Sequence, residues 1–285
     1  MQNKYAGIKK ITILEKSRNI TFPAFVTYPT TIKSKIQNIG PFSVKATNDA
    51  EIKEGKYPLI IISHGGGGNF LGYLTIAQFL AEQGFIVVMI EHYKNNRNDN
   101  QLEGKIENLE NRPKHISLTI DEMLKNRFKD YIDKEKIVVI GHSMGGYTAL
   151  ALAGGIPYTK EAERVKTVLD KRVKAIILFA PATAFFNYNN SLDNVKIPIL
   201  FFSAEKDELT TLEEHKSIIN KQLSHNKNVV FEIVENAGHF SFLSPFPKSM
   251  RNPNFLPSTD PKGFNRDRFH LELNKKIYDF LEKNL

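Results

Sequence analysis

One stretch near the middle of the chain, Val138 to Gly146, most limits the fold. The four apolar residues 137–140 predict a buried strand, and the small residues from Tyr147 to Ala153 predict a helix. Between them, Gly-His-Ser-Met-Gly must turn from strand to helix within five residues. A serine at the tip of so tight a turn has little room beside it, and the two glycines keep side chains out of the way. The pattern predicts an exposed serine on a strained turn.

This serine, Ser143, precedes the start of the predicted helix. The first turn of a helix directs free backbone N–H groups, and the positive end of the helix dipole, toward any negative charge that forms nearby. We therefore predict that Ser143 is a nucleophile. The alternative is a glycine-rich turn that only links the strand to the helix.

Hydrophobic runs alternate with helical patterns along most of the chain, which predicts an α/β fold with a mostly parallel central sheet and helices on both faces. The predicted strands are 58–63, 85–90, 137–140, 173–179, 197–203 and 229–234. The predicted helices are 74–83, 113–129, 147–153, 160–170, 211–223 and 267–281. Two alternating segments, 8–14 and 20–28, predict an antiparallel hairpin at an edge of the sheet.

The chain has 285 residues, 41% of them hydrophobic, and neither a repeat nor a linker divides it. We therefore expect residues 1–285 to form a single domain. Residues 30–56 are polar and broken by glycine and proline, which predicts a long loop. The charged loop 94–111 and the irregular excursion 241–265 are either solvated surface or lids over a site.

The composition excludes several kinds of protein. Cysteine is absent, so disulfides, a cysteine nucleophile and thiolate metal sites are excluded. The net charge of +8 comes from scattered lysines without interleaved aromatic residues, so we expect no nucleic-acid partner. No run is long enough to span a membrane, no cluster has metal-ligand spacing, and the N-terminus lacks an apolar signal core. We expect a cytoplasmic protein, although a secreted chain trimmed of its signal would look the same.

After the predicted strand 58–63 come His64 and then a run of four glycines, Gly65 to Gly68. Such a run lets the backbone approach a ligand closely with its N–H groups exposed. A phosphate cradle is the rival interpretation, but the Gly-Lys-Ser/Thr ending of that motif is missing. Behind a buried strand and upstream of the serine turn, the run suits one half of an oxyanion hole. We predict the N–H groups of Gly66 and Met144 as its two donors.

An acid and a histidine follow two later strands, at the sheet edge where the serine also lies. The acid is Asp207, just after strand 197–203, with Glu205, Glu208 and Asp193 as rivals. The histidine is His239, after strand 229–234. The chain order of serine, acid and histidine is that of α/β-hydrolases and not of chymotrypsin or subtilisin.

The other histidines are weaker candidates for the base than His239. His142 should point away from the serine hydroxyl, and we expect His64 to make a structural hydrogen bond instead of taking part in catalysis. His215 and His225 lie on or beside a predicted surface helix, where solvated side chains are expected.

These residues together predict a serine hydrolase. The imidazole would accept the serine proton, and the carboxylate would hold the imidazole in the right tautomer. Aromatic side chains past the ends of strands either narrow an acyl pocket or pack under loops. The candidate pocket residues are Gly67, Phe185, Phe186, Phe240 and Phe242. A short-chain ester is the expected substrate, and no cofactor is required. An acyltransferase, a peptidase or a non-catalytic binding protein of the same fold are the alternatives.

The chain also resembles a known family through several motifs taken together. These are residues 58–68, 81–88, Arg112-Pro113, 141–150, 236–242 and 263–270. They resemble the bacterial α/β-hydrolases labelled predicted dienelactone hydrolases, which are related to platelet-activating-factor acetylhydrolase. The resemblance covers roughly residues 20–283 and implies a cofactor-free serine esterase for short or oxidised acyl esters. Carried over by position, it implies the same triad and oxyanion donors. The serine turn also resembles that of cutinase-like polyester hydrolases.

Overall fold

A computed structural model of the protein describes residues 4–285, which contain ten strands in one sheet. The strands are β1 (Tyr5–Glu15), β2 (Ile20–Thr30), β3 (Lys35–Ile39), β4 (Phe42–Asn48), β5 (Tyr57–Ser63), β6 (Ile86–Ile90), β7 (Ile132–His142), β8 (Val173–Phe179), β9 (Ile199–Ala204) and β10 (Val229–Val234). Their order across the sheet is β10-β9-β8-β7-β5-β6-β2-β1-β4-β3. The six strands β5 to β10 are all parallel. Their carboxyl ends therefore share one edge of the sheet.

Helices cover both faces of this parallel half. They are α1 (Leu74–Glu82), α2 (Ile106–Met123), α3 (Met144–Leu152), α4 (Leu212–Gln222) and α5 (Arg266–Asn284). Successive strand side chains point to opposite faces, so the apolar strand residues divide between two cores. Val139 belongs to the core under α2, α3 and α4, and its neighbours Val138 and Ile140 belong to the core under α1 and α5. Burial on both faces explains the continuous apolar runs and confirms the predicted architecture.

The N-terminal hairpin is confirmed, but it does not lie at the edge of the sheet. β1 and β2 pair antiparallel over their full length, and β2 then pairs antiparallel with β6. β4 adds to the far side of β1, and β3 forms the edge. The prediction of one long loop over residues 30–56 is therefore wrong. β4 alternates buried and exposed residues over only seven positions, which is a weak signal in a polar stretch.

Helix α2 begins inside the segment that the sequence assigned to a loop. It runs from Ile106 and contains Pro113 in its interior, instead of starting at that proline. A proline lacks the N–H that would bond to the carbonyl four residues earlier, here that of Leu109. The hydroxyl of Tyr147 on α3 donates to this carbonyl oxygen at 3.1 Å. A partner from another helix therefore satisfies the backbone group that proline leaves free.

The predicted charged helix over residues 160–170 is also wrong. This segment has turns and an isolated bridge between Tyr158 and Arg164. Ala162 has a φ of +63°, in the left-handed region that a helix cannot contain. The excursion 241–265 is irregular as predicted, with only short 3₁₀ turns. Within residues 4–285, none of the helices combines the length and the apolar character needed to cross a membrane.

Candidate active site

The serine turn lies at the carboxyl end of β7 and is strained. Ser143 has φ 55° and ψ −119°, outside the usual regions for a residue with a side chain. Its N–H donates to the carbonyl oxygen of Phe179 on β8 at 3.0 Å, and its own carbonyl oxygen accepts from Gly146 at 2.8 Å. Backbone bonds on both sides therefore hold the serine in this conformation.

The glycines of the turn are needed for close packing of backbone. A Cβ at Gly145 would lie 1.9 Å from the carbonyl oxygen of Ser63, at the end of β5. A Cβ at Gly141 would lie 2.1 Å from the carbonyl oxygen of Gly145. Both neighbours are backbone atoms that cannot move aside. The tip of the turn therefore presses directly against β5, beside the glycine run.

Asp207 and His239 meet across the ends of β9 and β10. Nδ1 of His239 lies 2.7 Å from Oδ2 of Asp207, and both side chains are buried. Oδ1 of Asp207 accepts backbone N–H groups from Leu209 at 2.8 Å and Thr210 at 2.9 Å. Burial would raise the pKa of Asp207, but the bonds from His239 and from these N–H groups outweigh it and leave the pKa below its ordinary value. The carboxylate is thus fixed in its charged form.

Thr210 also contacts Asp207, a contact that was not predicted from the sequence. Its hydroxyl lies 3.0 Å from Oδ2 of Asp207 and 3.1 Å from the carbonyl oxygen of Ala180. A hydroxyl has one proton, so it can donate to only one of these acceptors at a time. No local pattern marks this threonine, because its partners lie on two different strands' loops.

Ser143 and His239 line one cavity of about 780 Å³ together with the glycine run. Gly66, Gly67, Met144 and Phe240 also line it. The position that a Cβ would take at Gly66 is 3.4 Å from Cγ of Met144, so the two predicted oxyanion donors belong to adjacent segments. Gly67 has a φ of +57°, which glycine adopts without strain. The cavity therefore joins a serine, a carboxylate-bound histidine and two segments with backbone N–H groups.

His142 lies beside His239 and is buried. Its Nε2 is 2.9 Å from the carbonyl oxygen of His239, and its Nδ1 is 2.9 Å from the hydroxyl of Tyr73. A carbonyl only accepts, so Nε2 carries the proton and Nδ1 accepts from the tyrosine. Burial, with the nearby His239, lowers the pKa of His142 to about 3. A neutral His142 therefore supports the backbone of His239.

Two other histidines have structural roles. Nε2 of His64 accepts the backbone N–H of His92 at 3.0 Å, and its Nδ1 lies 2.6 Å from the carbonyl oxygen of Gly65. His64 therefore makes structural hydrogen bonds, as predicted. The expectation of a solvated His215 is wrong. This side chain is buried, with its ring nitrogens 2.7 Å from the hydroxyl of Ser203 and 2.9 Å from the carbonyl oxygen of Pro181. It points inward because α4 packs that face against the end of β9.

The wall of the cavity includes apolar side chains from four segments that are distant in sequence. Besides Leu71 and Leu209, they are Pro41 and Phe42 from the β3–β4 turn and Leu243, Phe246, Met250, Phe255 and Pro257 from the excursion. The rings of Phe42 and Phe246 are 5.2 Å apart, which joins two of these segments. Arg97, Asn98 and Glu103 from the charged loop add a polar side.

The predicted aromatic pocket residues divide between cavity and core. Phe240 lines the cavity beside His239, and Phe185 lines a second cavity of about 250 Å³ that also touches Gly66 and Met144. The prediction is wrong for Phe186 and Phe242, which are fully buried. Phe186 packs on Tyr147, and the ring of Phe242 stacks on Phe179 at 5.2 Å. Both rings fill space between secondary-structure elements, where the hydrophobic effect favours their burial.

Among residues 4–285, no cluster of three or more histidine, aspartate or glutamate side chains could hold a metal ion.

Several known proteins are similar to this chain in sequence. Cutinase est1 of Thermobifida alba is 23% identical over 188 residues, 65% of this chain and 54% of that protein. Platelet-activating factor acetylhydrolase of Canis lupus familiaris is 30% identical over 156 residues, 39% of this chain and 35% of that protein. Cutinase 1 of Thermobifida cellulosilytica is 23% identical over 219 residues, 71% of this chain and 73% of that protein. The chain matches about half the length of the first relative and about a third of the second.

A solved structure and a family model extend the comparison to most of the chain. A ferulic acid esterase from Streptomyces cinnamoneus superposes with a TM-score of 0.72 at 16% identity, over 99% of this chain and 90% of that one. This likeness confirms the predicted α/β-hydrolase fold. Residues 45–254 match the model described as the Dienelactone hydrolase family. With a serine in a strained turn, a carboxylate-bound histidine and this match over most of its length, the chain belongs to the dienelactone hydrolase family.

Proposed function

We propose that this protein is a serine carboxylic-ester hydrolase that acts through an acyl-enzyme on Ser143. One observation carries the proposal. The imidazole of His239, bonded to Asp207 at 2.7 Å, lines the same cavity as the strained serine. The cutinase, acetylhydrolase and esterase names of the similar proteins support the same class of reaction.

The positions of the protons in the site support His239 as the general base. Asp207 is charged and accepts only, so the shared proton lies on Nδ1 and leaves Nε2 of the imidazole free. Nε2 then takes the proton of Ser143 as its oxygen attacks the ester carbonyl. The tetrahedral intermediate collapses to an acyl-serine, and the leaving alcohol takes the proton from the imidazole. In deacylation, water attacks the acyl-serine, and His239 transfers protons in the same way.

The negative oxygen of each tetrahedral intermediate would be stabilised by the N–H groups of Met144 and Gly66. Met144 is the first residue of α3, so its N–H is free of an intrahelical partner and lies at the positive end of the helix. Gly66 lies in the glycine run facing the same cavity. One such donor contributes a factor of about 100 to 1,000 in rate.

A short acyl group is our proposed substrate preference. Two cavities meet at Gly66 and Met144, one of about 780 Å³ and one of about 250 Å³. An ester whose two parts differ in size fits such a pair. We assign the acyl group to the smaller cavity, with Phe185 on its wall, and the bulkier alcohol part to the larger, apolar one.

The test is the hydrolysis of p-nitrophenyl esters of increasing acyl length. We expect turnover to fall steeply beyond short chains, and to disappear in Ser143→Ala without a change in melting temperature. Phe185→Ala should extend activity to longer acyl groups by enlarging the smaller cavity. Ser191→Ala is the matched control, because this buried hydroxyl has no hydrogen-bond partner among residues 4–285 and its removal should cost neither activity nor stability.

Other outcomes would redirect the assignment. Full activity in Ser143→Ala would refute the nucleophile. Faster release of product with added alcohol or amine, together with a transferred acyl group, would indicate an acyltransferase, and cleavage of peptides would indicate a peptidase. No turnover and no reaction with a fluorophosphonate probe would indicate a non-catalytic binding protein.

A further inference from the structure

Arg112, on α2, is fully buried beneath the glycine run, although the proposed reaction gives it no direct part. Its guanidinium donates to three oxygen atoms. One amino group reaches the carbonyl oxygen of His64, and the other reaches Oδ1 of Asn95. Nε lies 3.1 Å from the hydroxyl of Thr148. The planar fork thus connects three separate segments around the cavity.

Two of these contacts lead to the proposed oxyanion donors. The carbonyl of His64 belongs to the peptide that enters the glycine run, two residues before the N–H of Gly66. Thr148 lies on α3, and its hydroxyl donates to the carbonyl oxygen of Met144 at 2.8 Å. One side chain therefore holds both backbone segments whose N–H groups must converge on a single oxygen.

The third contact reinforces the same run from its other end. The amide of Asn95 donates from Nδ2 to Asn100 at 2.7 Å, which orders the charged loop. Within this loop the N–H of Arg97 donates to the carbonyl oxygen of Gly68 at 2.8 Å. Both ends of the glycine run are thus held, because His64, just before it, bonds to Arg112, and Gly68, at its end, bonds to the loop that Arg112 holds.

The partners of this cation are unusual because they are all neutral. No carboxylate forms an ion pair with Arg112 within the described part of the chain. Burial lowers the pKa of Arg112 to about 9, so the guanidinium is charged at neutral pH. A buried charge that has lost its water needs every hydrogen bond it makes. The guanidinium of Arg112 therefore fixes the positions of the three oxygen atoms.

We propose that Arg112 is a positioning residue that sets the distance between the two oxyanion donors, Gly66 and Met144, by bonding the carbonyl of His64 and the hydroxyl of Thr148. It touches neither substrate nor the reacting atoms. The inference rests on the proposed esterase function. Loss of Arg112 should weaken the stabilisation of the transition state while leaving binding of the intact ester nearly unchanged.

Arg112→Lys tests the role, because an ammonium keeps the charge but reaches fewer of the three oxygen atoms. With p-nitrophenyl acetate we expect kcat to fall by about 10- to 100-fold, as expected for a misplaced oxyanion donor. The affinity for an alkylboronic acid, which forms a tetrahedral adduct with serine, should fall with kcat/KM. The affinity for the amide analogue of the substrate should change by less than about twofold.

A second variant keeps the test decisive if Arg112→Lys does not fold. Thr148→Val removes only the hydroxyl on the α3 side, and kcat should fall by about 3- to 10-fold. Thr119→Val is the matched control. The Thr119 hydroxyl is also buried and also donates to the carbonyl four residues earlier, that of His115 at 2.7 Å, but it does not contact the guanidinium. This control should keep wild-type kcat.

Each result has a distinct meaning. A folded Arg112→Lys with wild-type kcat, or boronate and amide affinities that fall together, would overturn the positioning role. Equal kcat values for Thr148→Val and Thr119→Val would overturn it as well. A wild-type protein that hydrolyses no ester would instead refute the proposed function, and with it this inference.

Discussion

The hydroxyl of Tyr147 lies 3.1 Å from the carbonyl oxygen of Leu109, the oxygen that Pro113 leaves without its intrahelical partner. This contact joins α2 to α3 directly behind the serine turn. It explains how a proline is accommodated in the interior of the helix that carries Arg112.

Tyr147→Phe should therefore lower the free energy of unfolding by about 1–3 kcal/mol, because a buried carbonyl is left without a donor. In the background of Pro113→Ala, the new N–H can bond to Leu109, and the same substitution should cost less than about 1 kcal/mol. Urea unfolding of the four proteins of this double-mutant cycle measures the difference. Equal costs in both backgrounds would contradict the account.

Asp207→Asn should lower kcat for p-nitrophenyl acetate by about 10⁴-fold while the protein stays folded. An amide side chain offers an N–H to Nδ1 of His239 and so favours the wrong tautomer of the imidazole. Steady-state kinetics, with circular dichroism for the fold, measures the effect. Glu205→Gln is the control on the same loop and should be close to wild type. A larger loss in Glu205→Gln would move the acid to that residue.

The ion pairs of Glu15 should make the stability of the protein depend on pH. It is buried, and it pairs with Arg18 at 2.7 Å and with Lys114. The hydrogen bond from Arg18 outweighs the effect of burial and, with Lys114, lowers the pKa of Glu15 from 4.5 to about 2. The folded pKa is below the unfolded one, so this stabilisation is complete above about pH 4.5 and is lost as the pH falls toward 2.

Glu15→Gln should accordingly lower the free energy of unfolding at pH 7 by about 1.5–3 kcal/mol. The difference from wild type should shrink as the pH falls through the range between 4.5 and 2. Denaturant unfolding at several pH values measures it. Glu107→Gln, at the exposed and longer contact with Arg18 of 3.4 Å, serves as the control and should change little at any pH. A difference that did not depend on pH would contradict the assignment.

Gly145→Ala should destroy the serine turn. The added methyl would lie 1.9 Å from the carbonyl oxygen of Ser63, a backbone atom in the central strand. We expect loss of esterase activity and a cost of more than about 4 kcal/mol in the free energy of unfolding. Gly84→Ala is the comparison, because a φ of +100° is strained for alanine but the added Cβ would meet no atom of the described residues within 4 Å. It should cost about 1 kcal/mol and leave kcat unchanged; similar losses in both variants would argue against the clash.

Local patterns were sufficient for much of the architecture and for the candidate site. The sequence predicts the strands 173–179 and 229–234 with the bounds that the structure has, because both segments are rich in β-branched and aromatic residues. The serine turn could be predicted because its glycines, its strand and its helix are adjacent in sequence. Asp207 and His239 could be paired from the chain order alone, since parallel strands bring their carboxyl ends to one edge.

What the sequence alone did not decide depends on contacts between distant segments. α2 extends through Pro113, and Tyr147, 34 positions later, supplies a donor to the carbonyl that the proline leaves free. Phe186 and Phe242 are core residues and Phe240 lines the cavity, although all three are aromatic residues after strand ends. Their difference arises from which neighbours each side chain meets. Likewise, nothing around Arg112 in the sequence indicates that it reaches His64 and Thr148. Periodicity encodes which face of an element is buried, but only tertiary packing selects the partner, because that choice depends on the shapes and charges of residues far along the chain.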